Sequence, residues 1–233
     1  MQSYLNTFAD MEKRIVDALQ VCPLFADMSQ FEIEMTLGNT SHRIVEMPAH
    51  EVYALAGMPC RYVDIVVDGG LICRMASLSG KQVEVSRLRM GNLVAPAFIF
   101  AKKKELPVSI ETEGKVTLLR IMPVDLKRLI DNDDKLRMNF IRILSNIDVF
   151  LTHKLKVLSL FTIREKVAYM LLELSGEQGG NEIILKRSRQ EIADSFGIQK
   201  FSLLRVLADF ERDGILKVNG KQITIIDRKR ILL

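Results

Sequence analysis

The chain has 233 residues, of which 48% are hydrophobic and 27% charged, and its 33 Lys and Arg against 29 Asp and Glu give a formal net charge of +4. This is the composition of a soluble globular protein with apolar material for one large domain or two ordinary ones. No apolar run approaches the roughly 20 residues that cross a bilayer, and the N-terminus MQSYLNTFADMEKR lacks the basic start and greasy centre of a secretory signal. Three cysteines (Cys22, Cys60, Cys73), far apart and odd in number, make no disulfide framework, so a reducing cytoplasm is the simplest reading. From Thr162 onward 13 Lys and Arg face 10 Asp and Glu. That surplus is too small to imply nucleic acid by itself.

Residues from about Tyr4 to Gln20 read as a helix with Leu5, Phe8, Met11, Ile15 and Leu19 on one side. PLFADMSQFEIEMTL (Pro23 to Leu37) adds turn chemistry and a second short helix. From His42 to Met122 the period changes. RIVEM, EVYAL, YVDIVVDG, LICRMA, QVEVSRL, NLVA, PVSIET and VTLLRIM are short β-like runs punctuated by glycines and prolines. This pattern predicts a small antiparallel roll or barrel. Near Asp131 helical spacing resumes: Leu136, Phe140, Ile143, Ile147, Leu151, Leu155 and Leu158 recur every three or four residues over about 25 positions, roughly 38 Å of helix. Such a stripe packs on the chain's own roll or forms a seam with a second copy, and Phe150 on a neighbouring face lets one helix do both.

Thr162 and Glu165 form a capping-box pattern before Val167, Met170, Leu171 and Leu174, and SGEQGGNE (Ser175 to Glu182) reads as a polar loop followed by a strand, IILKR. Ser188 and Glu191 repeat the capping box. Ile192, Ala193 and Phe196 give the next helix an apolar side, and Gly197 supplies the left-handed residue that ends it. A further helix, about Gln199 to Asp213, buries Leu203, Val206, Leu207 and Phe210, leaving Lys200, Phe201, Ser202, Arg205 and Arg212 on other faces. ILKVNGKQITIID then makes a basic hairpin about Asn219-Gly220. Two helices about a glycine turn with a hairpin behind them suggest a winged helix-turn-helix.

In this order, SRQEIADSFG, VLADFERDGIL, NGKQITI, PLFADMSQFEIEMTL and the pattern of Gly57, Pro59, Val63, Ile65, Val66 and Gly69 resemble the Crp/Fnr family of bacterial transcription regulators over nearly the whole chain. The resemblance implies an α+β protein in three parts: an effector-sensing antiparallel β-roll of the cyclic-nucleotide-binding, jelly-roll type (1–132), a dimerisation helix and hinge (133–160), and a C-terminal winged helix-turn-helix (161–233). It implies a cytoplasmic homodimer on double-stranded DNA with a two-fold-symmetric site, an effector that tilts the DNA-binding domains about a hinge near Ser159–Thr162, and RNA polymerase as a further partner of an activator. Carried over by position, Gln199, Lys200, Phe201, Ser202 and Arg205 face base edges, while Ser188, Arg189, Gln190, Gly220 and Lys221 face the phosphate backbone. The dimer seam falls on Leu136, Phe140, Ile143, Ile147, Leu151, Leu155 and Leu158.

Two departures stand out. Many relatives carry Glu where this chain has Phe201, keeping an Arg at the place of Arg205. Phe201 cannot accept from cytosine; it either packs on a thymine methyl or folds back onto the domain core. The nucleotide cassette is also altered: VAPAFIF (Val94 to Phe100) puts Pro96 where relatives hold ribose with Glu. Leu106-Pro107 stands where they hold phosphate with Arg and Ser. On the long helix the pair that reads the base corresponds to Leu151 and Thr152. A buried phosphate without a cation is costly, which argues against cyclic AMP; Lys102, Lys103 and Lys104 nearby read as a solvated loop. Scattered cysteines argue against an iron–sulfur cluster, and no motif specifies haem, although His42, His50, His153 and eleven methionines leave it arithmetically open. The expected effector pocket involves Phe98, Phe100, Leu144, Leu151 and Thr152, among apolar neighbours that equally suit a filled core. The effector is therefore unassigned. The competing readings are a constitutive DNA binder with a degenerate sensor and, more remotely, a cupin-type metalloenzyme, for which His42 and His50 lack a third strand histidine.

Overall fold

The computed structural model describes residues 2–76 and 82–232, with side chains described from Met11 to Ile231 within them. In chain order the elements are α1 (Gln2–Gln20), α2 (Gln30–Gly38), β1 (His42–Met47), β2 (Val52–Ala54), β3 (Val63–Asp68), β4 (Leu71–Ala76), β5 (Gln82–Leu88), α3 (Pro96–Ile99), β6 (Ser109–Thr112), β7 (Val116–Ile121), α4 (Pro123–Asn132), α5 (Asp134–Leu160), α6 (Ile163–Gln178), β8 (Glu182–Ile184), α7 (Arg189–Ser195), α8 (Lys200–Arg212), β9 (Leu216–Asn219) and β10 (Gln222–Ile225). They gather into two compact units. One runs to Ala76 and resumes from Val85 to Val149; the other holds the chain from Phe150 onward and the short stretch ending at Glu84.

The first unit is a roll of two antiparallel sheets, in the orders β1-β7-β3 and β2-β6-β4-β5. Strand β3, VDIVVD, is buried at five consecutive positions, the signature of a strand covered on both faces. Helix α1 supplies one cover, with Ile15, Ala18 and Leu19 in the core; the side chains of Leu5 and Phe8 lie outside those described. Gly69 turns β3 into β4 at φ 81°, where a Cβ would lie 2.3 Å from the carbonyl oxygen of Lys115. Only glycine fits there.

Asp64, in the middle of this apolar strand, is fully buried. Arg120 opposite it on β7 donates twice to its carboxylate, at 2.7 and 2.5 Å, and the Tyr53 hydroxyl donates at 2.8 Å. The Arg120 guanidinium lies 4.1 Å from the centroid of Tyr62. Burial and the Asp64 charge both push the Tyr53 phenol well above its ordinary pKa, so it stays a hydrogen-bond donor.

Three sequence expectations change in this unit. NLVA forms no strand of its own; Leu93 makes a single bridge to Ile65, and Ala95 in the left-handed region (φ 49°) leads into α3. Helix α4 was not expected, although Pro123 at its first turn and the spacing of Val124, Leu126, Leu129 and Ile130 are helical signals. On α5, a helix of 27 residues, Leu136, Phe140 and Ile143 are buried in the roll's own core, with Leu144 and Ile147 packed against it. Buried Asn139 fixes the helix further by donating to the carbonyls of Leu24 and Ala26 at 3.1 and 2.8 Å. The front half of the expected dimer seam is therefore covered within the protomer, whereas Leu151 and Leu155 further along are exposed.

In the second unit a small antiparallel sheet, ordered β8-β10-β9, backs three helices. Val157, Val167, Leu171, Ile192, Leu203, Leu207, Phe210 and Ile223 form its core. The capping box at Thr162 is present in full. Helix α6 runs four residues into the stretch expected as a loop, to Gln178, with Gly179 as its C-cap; the Gln178 amide then donates to and accepts from the backbone of Ile184 on edge strand β8.

Truncating one member of a buried ion pair leaves the other charge uncompensated, so Asp64→Ala will lower stability by about 3–5 kcal/mol. The paired replacement Asp64→Leu with Arg120→Leu will recover most of that loss; urea denaturation of both variants measures it.

Candidate nucleic-acid interface

Ser188 is extended (φ −67°, ψ 159°) and caps α7. Its backbone N–H donates to the Glu191 carboxylate at 2.8 Å and the Glu191 N–H donates to its hydroxyl at 3.2 Å. Two donors at this helix start are thus satisfied internally. Ile192, Ala193 and Phe196 anchor α7 to the core. Gly197 at φ 61° then reverses the chain while the Ile198 N–H returns to the Ala193 carbonyl at 3.0 Å.

Helix α8 follows from Gln199. Leu203, Leu207 and Phe210 lie inward, and the guanidinium of Arg164 sits 4.3 Å from the centre of the Phe210 ring. Three inward residues at this spacing set the rotation of the helix about its axis. Gln199, Lys200, Phe201, Leu204, Arg205 and Ala208 are consequently exposed, and Ser202 is half-buried. Phe201 is 73% exposed; the structure places it outside the core. Neither Lys200 nor Arg205 makes an ion pair among the described residues, in contrast to Arg212, further along the helix, which pairs with Asp209 at 3.0 Å.

The hairpin β9–β10 turns at Asn219-Gly220, with Gly220 at φ 56°. Lys221 beside it is exposed and carries no ion pair among the described residues; its carbonyl accepts from the Leu185 N–H at 2.8 Å. Arg189 donates through Nη2 to the Gly220 carbonyl at 2.8 Å, tying the start of α7 to the hairpin turn. Partial burial lowers the Arg189 pKa from its ordinary value. Gln190 donates to Asp194 along the helix at 2.8 Å. Ser188, Arg189, Gln190, Gly220 and Lys221 therefore share one end of the unit, with Arg189 partly engaged by the protein itself. Sequence reading missed that link, and it missed Leu204 and Ala208, three and seven residues beyond Phe201 on the same exposed strip.

The expected effector residues are placed differently. Phe98 and Leu144 pack against the roll's core, Phe100 meets Phe140 edge to face at 5.8 Å, and Leu151 and Thr152 are exposed in the second unit. None of the five lines the cavity of about 240 Å³ in the roll, whose walls include Tyr53, Cys60, Tyr62, Ala95, Leu106 and Arg120. Pro96 and Leu106 are both buried, and Arg120 is already held by Asp64. A second cation, the exposed Arg61, also lines this cavity. His42 contacts the Thr40 carbonyl, His50 is an exposed turn residue, and His153 lies against Tyr169. No three His, Cys, Asp or Glu side chains come together to suit a metal among the described residues.

Residues 165–232 match the family described as the Crp-like helix-turn-helix domain. Over 167 residues the chain is 24% identical to the transcriptional regulatory protein btr of Bordetella pertussis, covering 68% of this chain and 67% of that one. The C-terminal part of the chain is therefore a Crp-like helix-turn-helix domain. Solved structures agree on the fold: the c-di-GMP-responsive regulator CLP of Xanthomonas campestris (TM-score 0.67, 21% identity, 83% of this chain and 97% of that one) and a mutant of CooA from Carboxydothermus hydrogenoformans (TM-score 0.70, 16% identity, 88% and 89%). The matched helix-turn-helix domain supports DNA binding by this chain.

The contact between Arg189 and Gly220 makes a local prediction. Arg189→Ala will speed amide exchange at Gly220, Lys221 and Gln222, leaving the exchange of α8 unchanged; hydrogen exchange read by NMR or mass spectrometry checks it.

Proposed function

We propose that the protein acts as a cytoplasmic homodimer on a two-fold-symmetric DNA site, each copy laying α8 in a major groove, with the grooves about 34 Å apart. The observation that carries this reading is the division of α8: an inward face of Leu203, Leu207 and Phe210, and an outward face whose cations, Lys200 and Arg205, make no ion pair among the described residues. In this reading Arg205 and Lys200 address base edges with Gln199 and Ser202 beside them, Arg and Lys being the side chains that pair with guanine O6 and N7. Arg189, Gln190 and Lys221 face phosphates. Ser188 and Gly220 hold these groups in place.

For the dimer we assign α5 a seam of exposed side chains in place of its buried ones. Met138, Ile141, Val149 and Leu155 are each exposed, and with Ser145 and Thr152 they recur at helical spacing along α5. Exposed apolar side chains in a continuous stripe favour burial against a second copy. No helix among the described residues is long and apolar enough to cross a membrane.

The regulator's effector is not cyclic AMP in this reading. A thermal-shift panel of cyclic nucleotides, haem and fatty acids on the purified protein separates a ligand-gated switch, which one compound will stabilise, from a constitutive binder, which none will.

Arg205→Ala will relax preference at one base pair of each half-site, at a cost of about 1–3 kcal/mol. Lys221→Ala will weaken every sequence alike and reduce the salt slope by about one per protomer. Gel-shift titrations across a salt series measure both. Absence of preference for any palindrome over random DNA would sink the proposal.

A further inference from the structure

The residue that departs most from the family pattern on α8 is also its most exposed large apolar side chain. Phe201 is 73% exposed, against 41% for Leu204 on the next turn. Its direction is imposed by Leu203 and Leu207, which are buried on the opposite side. Phe201 stands in the first turn of the helix beside Lys200 and one turn before Arg205, so the phenyl ring lies between two cations that make no ion pair among the described residues. Leu204 and Ala208 continue the apolar strip behind it.

A phenyl ring has no hydrogen bond to give or receive. Along the major-groove edges of the four base pairs, all but one of the distinguishing groups are hydrogen-bond donors or acceptors; the exception is the C5-methyl of thymine. A ring held between Lys200 and Arg205, both aimed at the same groove, meets that methyl or meets nothing it can recognise. We propose that Phe201 is a specificity-determining residue that reads the C5-methyl group of a thymine in each half-site. The inference rests on the function proposed above and adds the chemical class of one base.

The methyl itself is the test. A site is first selected from random duplex DNA with the full-length protein, and each thymine of the half-site is then replaced by uracil, symmetrically in both halves. Uracil keeps every hydrogen bond and removes only the methyl. At one position the wild-type protein will lose about fourfold in affinity per half-site, or about 15-fold for the symmetric pair, the change that burying one methyl group carries. Phe201→Ala will bind the thymine and uracil sites within twofold of each other. Because the ring is exposed, that variant keeps its fold, and circular dichroism with a retained guanine preference verifies this. Phe201→Leu, which keeps an apolar contact, will retain part of the discrimination. Where the site carries cytosine at that position, 5-methylcytosine will restore wild-type but not Phe201→Ala binding.

If specific binding is intact but no uracil substitution separates wild type from Phe201→Ala, or the half-site has no thymine, the assignment of Phe201 is overturned and the regulator reading stands. If selection enriches no site at all, the regulator reading falls, and this inference with it.

Discussion

The outward face of α8 is determined by what its inward face must do. Leu203, Leu207 and Phe210 are 1%, 3% and 0% exposed, and burying side chains of this size stabilises a domain by about 1.5–3 kcal/mol each. Turning the helix by one residue, about 100°, would bring Phe201 toward the core but take all three out of it. The exposed phenyl is the smaller loss. Gly197 and the return of Ile198 to Ala193 fix where the helix begins, and Glu211, accepting from the Val218 N–H at 2.8 Å, fixes the hairpin to its far end. The outward surface of α8 is the remainder of a packing problem solved on the other side.

A comparable separation of scaffold from chemistry runs through the roll. Ala95 holds the left-handed conformation that glycine adopts at no steric cost, and Pro96, Leu106 and Pro107 bring no charged side chain to this part of the roll. The polar network that the roll does contain, Asp64 with Arg120 and Tyr53, is closed on itself. Each strong donor aimed at the carboxylate is matched, and no buried side-chain polar atom among the described residues lacks a partner. A network satisfied in this way holds β3 to β7 and to the opposite sheet through Tyr53. It does not advertise a free charge to a ligand.

Much of this fold was legible because short-range chemistry and long-range packing agree. The capping boxes at Ser29, Thr162 and Ser188, the strand runs between turn residues, and the Asn219-Gly220 hairpin each have a local cause and appear where that cause puts them. What was illegible depended on which surface covers which. The stripe through Leu136, Phe140 and Ile143 announces an apolar face on α5 but not its partner, and the roll claims it; Met138 and Ile141 lie off that stripe and read as ordinary surface. NLVA has strand composition, yet the positive φ of Ala95 and the proline after it direct the chain into α3. Phe201 was ambiguous for the same reason, since an aromatic residue between polar neighbours suits a core or a recognition surface equally, and only the rotation of α8 decides. The link from Arg189 to Gly220 spans 31 residues and has no signature in either segment.

Placing an apolar ring among cations changes the kind of recognition as well as its target. In the proposed reading Lys200, Arg205 and Lys221 draw the protein to any duplex by releasing counterions, an attraction that weakens with salt and carries little sequence information of its own. An apolar contact releases no counterions, so its contribution persists as salt rises. An acidic side chain at the place of Phe201, as in the relatives the sequence resembles, would offset part of the positive field while accepting from cytosine. Phe201 leaves that field undiminished and adds a term of similar size, about 1 kcal/mol per methyl group, that depends on the base alone. A half-site read in this way balances a stronger non-specific attraction against a discrimination that is insensitive to ionic strength, so the methyl's share of the ratio of specific to non-specific binding is held constant while both affinities fall as salt rises.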